Sequence, residues 1–285
     1  MPELPEVETV RRGLEKVIVG ATLTDVEILE DRCFEGQAEE TLGATIEGLD
    51  RRGKCIRIIY SSGWSMLGHL RMTGQMIFVS GAGEREGGGH PDDSLHASLP
   101  HKHTRVILRF GDRGTLYFND QRKFGYLKLV PSDELHTDNF WRNLGPEPWD
   151  DAYNADMLRD ICQRRAKTTI KAVLLDQHVV AGLGNIYVDE TLFLSGIRPK
   201  RKAGRISKKA LERVVSNSRE VLERGIAFGG VSVSDYVNAE GLRGTMQQQL
   251  YVYNRAEMPC KVCGTPIEKI TVAGRGTHYC PKCQR

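Results

Sequence analysis

Met1-Pro2-Glu3-Leu4-Pro5-Glu6-Val7-Glu8 opens the chain, and two readings of it are open. In the first, Pro2 and Pro5 stiffen an extended start and the glutamates favour the first turn of a helix. In the second, Met1 is removed and Pro2 carries a free secondary amine. An α-amine has a reference pKa of about 7.7–8.0, far below lysine, so part of it is uncharged near neutrality and can attack carbon. A secondary amine adding to an aldehyde carbon gives a charged iminium, an electron sink for eliminations. Glu3 and Glu6 are placed to move protons beside such a nucleophile. Behind the prolines, Val7, Val10, Leu14 and Val17 form one apolar stripe at helical spacing, and Gly20 ends the helix. Docking that stripe on a core would hold the chain's start in place, where a free terminus frays.

From residue 21 to 130 the period changes from helix to strand. Short β segments are expected at 22–29, 44–49, 55–60, 64–70, 75–79, 104–110, 115–119 and 125–130. Ile56, Ile58 and Tyr60 alternate with Arg57 and Ile59, and Gly111-Asp112-Arg113-Gly114 reads as a hairpin turn. Strands at this spacing predict a β-sandwich. Ser80 to Pro100 carries five glycines between 81 and 89 and reads as a flexible surface insertion. His90, His96, His101 and His103 near it lack a regular ligand spacing, so no metal is expected there.

Pro131, Gly145-Pro146 and Pro148 mark a linker, after which helical periodicity takes over. Met157, Leu158 and Ile161 mark one helix, and Ile170, Val173 and Leu174 a second. Ala181 to Asn185 forms a tight turn into a third helix with Tyr187, Thr191 and Leu194. Ser207 caps a fourth through Leu211, Val214, Val215 and Leu222, which Gly229-Gly230 closes. The expected class is α+β and multi-domain: a sandwich with a leading helix over 1–135, a linker over 136–151, a helical domain over 152–245 and a ribbon over 246–285.

Cys260, Cys263, Cys280 and Cys283 supply that ribbon's metal: C-x2-C-x16-C-x2-C is a tetrahedral zinc spacing. Four cysteines leave no open coordination position, so one structural Zn2+ is expected. Two disulfides fit a cytoplasmic chain poorly. The ribbon is expected to turn at Gly274-Arg275-Gly276, with Arg275 at its tip.

The 285 residues carry a net charge of +3, unevenly spread. Residues 1–150 hold 18 Lys and Arg against 24 Asp and Glu; residues 151–285 hold 22 against 13. This asymmetry suggests a polyanion for the second half, or simply a solvated surface. No apolar run approaches the ~20 residues of a membrane span, and the acidic start is unlike a secretory signal. A cytoplasmic monomer is expected.

Three further stretches bear chemistry. Arg51-Arg52-Gly53-Lys54 places a lysine before a strand, either holding a phosphate or merely exposed in a turn. His69-Leu70-Arg71-Met72-Thr73-Gly74 and Asp120-Gln121-Arg122-Lys123-Phe124-Gly125 each put a large apolar side chain beside an arginine in a loop. Such side chains wedge into a base stack, or belong to the core.

The start Pro2 to Thr9, Arg51 to Lys54, His69 to Gly74, Asp120 to Gly125, Ala181 to Glu190 and Ala273 to Cys283 together resemble the formamidopyrimidine-DNA glycosylases, base-excision repair enzymes for oxidised purines. The resemblance spans the whole chain in the same order. It implies a β-sandwich, a helix–two-turn–helix domain and a zinc finger, with damaged duplex DNA across the cleft between the domains. It implies Pro2 as nucleophile at C1′, Glu3 as general acid/base, Glu6 in support and Lys54 as a phosphate-binding catalytic lysine. Met72, Arg122 and Phe124 resemble the residues that fill the gap left by a flipped nucleotide. Lys171, Asn185 and Arg275 resemble phosphate clamps, and His69 and His103 fall among the DNA-binding positions. The iminium permits β- and δ-elimination with no external cofactor. Cys55 stands where an aromatic is usual, Asn254 and Glu257 where glycines are common, and the insertion at 80–100 is long. The stretch 231–249, which in the family helps cover the extruded base, leaves substrate preference open. The alternatives are an endonuclease VIII-like enzyme for oxidised pyrimidines, against which Leu4 and Val7 argue, and a non-catalytic damaged-DNA-binding protein should Met1 be retained. A zinc-ribbon RNA-binding module would leave the first 130 residues idle.

Overall fold

A computed structural model describes residues 1–90, 97–231 and 245–285. His96 and most of the 231–249 stretch lie outside the described residues. The chain divides into two compact units, residues 1–142 with 225–247, and residues 143–224 with 248–285.

The first unit holds two five-stranded sheets. One runs in the order β1 (Asp25–Ile28), β8 (Thr104–Arg109), β9 (Gly114–Asp120), β6 (Gly74–Ser80), β7 (Arg85–Gly89). The other runs β2 (Phe34–Glu35), β10 (Tyr126–Pro131), β5 (Trp64–His69), β4 (Cys55–Tyr60), β3 (Ile46–Arg52). Pairing is antiparallel except between β2 and β10. The strand period of two sorts the side chains: Ile56, Ile58 and Tyr60 from one sheet meet Met76, Phe78, Val106, Leu108, Leu116 and Phe118 from the other in a single core.

Helix α1 (Leu4–Ile18) closes that core. Its buried stripe is Val7, Val10, Leu14 and Ile18, with Val17 only partly covered. Burying each of these four side chains contributes about 1.5–3 kcal/mol relative to leaving it in water. The docked helix therefore fixes the residues just ahead of it.

The described first part of the glycine-rich insertion is not the loose loop its composition suggests, while residues 91–96 lie outside the described residues. Residues 85–89 form the edge strand β7 on β6, with Met76 opposite Gly88 and Gln75 opposite Gly89, and α1 lies against it. A Cβ at Gly87 would sit 2.1 Å from the Met76 carbonyl oxygen, and one at Gly89 2.3 Å from that of Gly74. Glycine is used here for close approach of backbones, which composition alone does not distinguish from freedom.

Residues 132–143, expected to open a linker, form a 3-10 turn (Ser132–Thr137) and the short α2 (Asn139–Asn143). Leu135, Phe140 and Trp141 cover Cys55, Leu67 and Val130 on the outer face of the second sheet. Cys55 is small and fully buried there, and burial pushes its thiol up.

In the second unit α3 (Ala155–Arg164), α4 (Ile170–Leu175), α5 (Asn185–Leu194) and most of α6 (Lys208–Ala227) follow as read. Three of these starts are capped by short polar side chains. Asn154 accepts from the amides of Asp156 and Met157, Thr169 from Ala172 and Ser207 from Ala210. After the short α7 (Met246–Gln249), β11 (Glu268–Val272) and β12 (Arg275–Tyr279) pair as a hairpin. Its turn is Ala273-Gly274, both at positive φ (51° and 70°), one residue earlier than expected. Arg275 opens β12 opposite Val272 and is exposed.

Candidate functional site

At the head of α1 Pro2 is buried while Met1 is 44 % exposed. Glu3 and Glu6 are both buried. One oxygen of Glu6 accepts the Glu3 amide at 2.8 Å and the other accepts the Val231 amide at 2.7 Å. A single carboxylate thus fastens the residue next to Pro2 to the chain leaving α6.

Lys54 follows Gly53 (φ 57°) in the turn between β3 and β4 and is nearly buried. Arg51 holds this turn to α1: it donates to the Gly53 carbonyl at 2.8 Å and to Glu8 at 3.1 Å. Burial works to raise the Glu8 carboxyl, but Arg11 and Arg12, bonded to it at 3.0 and 2.7 Å, together with the Arg51 charge, hold it below the usual range. The Glu8 cluster therefore ties the Lys54 turn to the helix that bears Pro2 and Glu3.

His69 ends β5 opposite Cys55. Its ring meets Phe140 edge-on at 5.3 Å, and its Nδ1 accepts the Arg71 amide at 3.0 Å. Burial first, then the charges of Arg71 and Lys54, press its pKa down to about 3. With Nδ1 as acceptor, the neutral ring carries its proton on Nε2. A His69 contact to DNA would therefore be made by a neutral N–H.

Met72 is partly exposed, Arg122 exposed and Phe124 55 % exposed. Phe124 is thus not a core residue; its ring lies under the Arg122 guanidinium at 4.9 Å. His103 is partly exposed just ahead of β8, its ring edge-on to His101 at 5.9 Å.

In the second unit, Asn185 begins α5 and its Nδ2 donates to the Gly276 carbonyl at 2.9 Å. This bond sets the Arg275 hairpin beside a helix N-terminus, where backbone N–H groups and the helix dipole favour an anion. Lys171 departs from expectation. It is fully buried, with Nζ 2.5 Å from Asp189 Oδ1, so it cannot touch a phosphate. Asp189 Oδ2 accepts the His278 amide at 2.9 Å, so the buried pair links α4, α5 and β12.

Sequence reading missed three residues here. Asp189 is one. Glu190, also buried, accepts the amides of Tyr251, Val252 and Tyr253 at 2.7–2.9 Å. Gln177 bonds the carbonyls of Leu175 and Leu183 and the Gly182 amide, shaping the turn before α5. The signal was present: 186–193 reads Ile-Tyr-Val-Asp-Glu-Thr-Leu-Phe and is buried throughout, so its acids need internal partners.

The four cysteine sulfurs lie within 4.8 Å of one another, with Cys260–Cys283 at 3.9 Å and Cys263–Cys280 at 3.5 Å. A tetrahedron with Zn–S bonds of about 2.3 Å has sulfurs about 3.8 Å apart, so the set fits one structural zinc ion. The amides of Val262 and Cys283 point at the sulfurs of Cys260 and Cys280, both at 3.4 Å, supporting thiolate charge.

Three family models match in sequence: formamidopyrimidine-DNA glycosylase N-terminal domain over residues 1–127, formamidopyrimidine-DNA glycosylase H2TH domain over 144–237, and zinc finger found in FPG and IleRS over 259–285. Formamidopyrimidine-DNA glycosylases of Geobacillus kaustophilus and an Exiguobacterium species are 42 % and 39 % identical to it, over the full length of both chains. The Lactococcus lactis Fpg in complex with an abasic-site-containing DNA superposes with a TM-score of 0.87 at 36 % identity, covering all of both chains. The wild-type Lactococcus lactis protein with an oxidised-pyrimidine-containing DNA gives 0.86 at 35 %, again over all of both chains. With a two-sheet domain, a helical domain and a four-cysteine ribbon in that order, the chain belongs to the formamidopyrimidine-DNA glycosylase family.

Proposed function

We propose that the chain is a bifunctional base-excision repair enzyme that removes oxidised purines, 8-oxoguanine and formamidopyrimidines, from duplex DNA and then cuts the strand. After loss of Met1, the Pro2 nitrogen attacks C1′ and the damaged base departs. Glu3 passes protons as the sugar ring opens and the iminium forms. Loss of a C2′ proton expels the 3′ phosphate, and a second elimination expels the 5′ phosphate. Lys54 holds a phosphate close to the reacting sugar, and Glu6 keeps Glu3 in place. Met72, Arg122 and Phe124 fill the vacated space; His69, His103, Asn185 and Arg275 contact DNA, while Lys171 acts from the interior. The protein works on DNA in the cytoplasm as a monomer, with zinc holding the ribbon.

The observation that carries this reading is the head of α1: a proline in second place, buried beside two buried glutamates and followed by a docked helix. The two glutamates also cap α1, each side chain accepting the other's backbone amide, so the pair serves the helix as well. What a non-catalytic binding protein would not need is a proline nitrogen freed at this capped, buried head. The test is borohydride trapping on duplex DNA carrying 8-oxoguanine. The expected result is a covalent adduct mapping to Pro2, which a protein with an N-terminal extension does not form. An adduct on a lysine, or an active enzyme whose Pro2 nitrogen is still acylated, rules the mechanism out. Thymine glycol duplex cut faster than the purine substrate would favour the pyrimidine-enzyme alternative.

A further inference from the structure

Asp120, the last residue of β9, is fully buried and faces two loops at once. Its Oδ1 accepts the Thr73 hydroxyl and, at 3.1 Å, the Arg122 amide. Its Oδ2 accepts the Phe124 and Gly125 amides at 2.8 and 2.6 Å. The Thr73 hydroxyl oxygen accepts the Arg122 amide as well, at 3.0 Å. The backbone of Asp120 is equally engaged, its amide with the His103 carbonyl at 2.8 Å and its carbonyl with Arg105 at 2.7 Å.

Thr73 directly follows Met72, and Arg122 to Gly125 include Phe124. One buried carboxylate therefore holds the Arg122 and Phe124 amides directly and reaches Met72 through the hydroxyl of the next residue, Thr73. Both loops also hold non-glycine residues in left-handed conformations, Arg71 at φ 49° and Lys123 at φ 56°. Such conformations persist where the surroundings over-determine them. Lys123 is further tethered by an ion pair to Glu30.

We propose that Asp120, with Thr73, is a positioning residue for lesion extrusion: it sets Met72 and the Arg122–Phe124 pair at a fixed mutual spacing, so that they enter the base stack as one preformed wedge. This rests on the wedge assignment made under the proposed function. The carboxylate is needed because it accepts on both oxygens. An asparagine would turn an NH2 group toward backbone N–H donors on one side, and the loop would have to open to relieve it.

The test compares two reactions of the zinc-loaded full chain. Excision of 8-oxoguanine from duplex requires the wedge. Cleavage at a preformed abasic site in single-stranded DNA needs only Pro2 and its neighbours, since no nucleotide leaves a stack. Asp120→Asn and Thr73→Val are expected to slow single-turnover duplex excision at least tenfold. They should weaken the fluorescence rise of a 2-aminopurine placed beside the lesion, while abasic cleavage stays within twofold of the parent. Thr73→Ser, which keeps the hydroxyl, should restore duplex excision. The proposal is overturned if either variant excises from duplex within twofold of the parent. It is equally overturned if duplex and abasic rates fall together, since the effect is then general. Should Asp120→Asn fail to fold, Thr73→Val alone decides between these outcomes. If the parent itself gives no borohydride adduct, the proposed function fails first; a parent that traps normally beside an unaffected Thr73→Val sinks the wedge coupling alone.

Discussion

His69 shows how much one side chain's surroundings decide. Its pKa near 3 lies below that of an unfolded histidine, about 6.5. Between those values the unfolded chain binds a proton that the folded chain refuses, so stability rises with pH across that window. Going down from about pH 6.5, this one site should cost about 1.4 kcal/mol per unit. Denaturant midpoints measured from pH 7 to 5 should fall, and His69→Gln should flatten the slope; an unchanged slope would mean the ring is not held neutral. Glu8 adds a drop of the same sign at lower pH. Its carboxyl is held below the ordinary value, so its contribution is complete above about pH 4.5 and is lost as the pH falls through the folded value. At this scale the sequence was informative about identity and poor about environment. Pro2, Glu3 and Phe124 could be picked out by type and order, whereas Lys171 looked like any cation until its burial against Asp189 was seen.

At the scale of elements, the Lys171–Asp189 pair joins two helices to the ribbon. Lys171→Met leaves a buried carboxylate without its cation, which should destabilise the helical unit by about 3–5 kcal/mol. Lys171→Met with Asp189→Asn should recover part of the loss, as read by urea unfolding. A single variant within about 1 kcal/mol of the parent would contradict the pair's role. The segment leading into Cys260 offers the opposite case. Asn254 and Glu257 adopt left-handed conformations (φ 56° and 68°), and Glu257 is exposed. Glu257→Gly relieves a strain of about 1–2 kcal/mol less glycine's own entropic cost, so a gain of about 1 kcal/mol is expected in thermal unfolding. Strands with clean alternation, such as 55–60, were legible because one face is buried. Strand β7 was not, because three glycines carry no period; only the carbonyls of Met76 and Gly74, distant in sequence, explain them.

For the whole molecule, the excess of positive charge beyond residue 150 suits a polyanionic partner. Arg275→Ala should weaken duplex binding at every sequence and lower the slope of log affinity against log salt by about one. Removing zinc with a chelator should unfold the ribbon, because four thiolates cannot stay this close uncompensated. Duplex affinity should then fall while the Pro2 nitrogen can still be trapped on single-stranded abasic DNA. Zinc-free protein that binds damaged duplex normally would contradict the ribbon's part in binding. The order of the parts was legible from period changes and cysteine spacing. Residues 225–231, the end of α6 and the chain just beyond it, group with the first unit, a return that no change of period marks.

That return of the chain has a consequence for biosynthesis. The carboxylate of Glu6 is not fully engaged until the amide of Val231 reaches it. On a ribosome both sheets are complete some hundred residues before that amide has been made. The nascent chain thus forms α1 and both sheets well before this tie can close, and a fragment stopping short of residue 231 is expected to keep the sandwich while Glu6 lacks that partner.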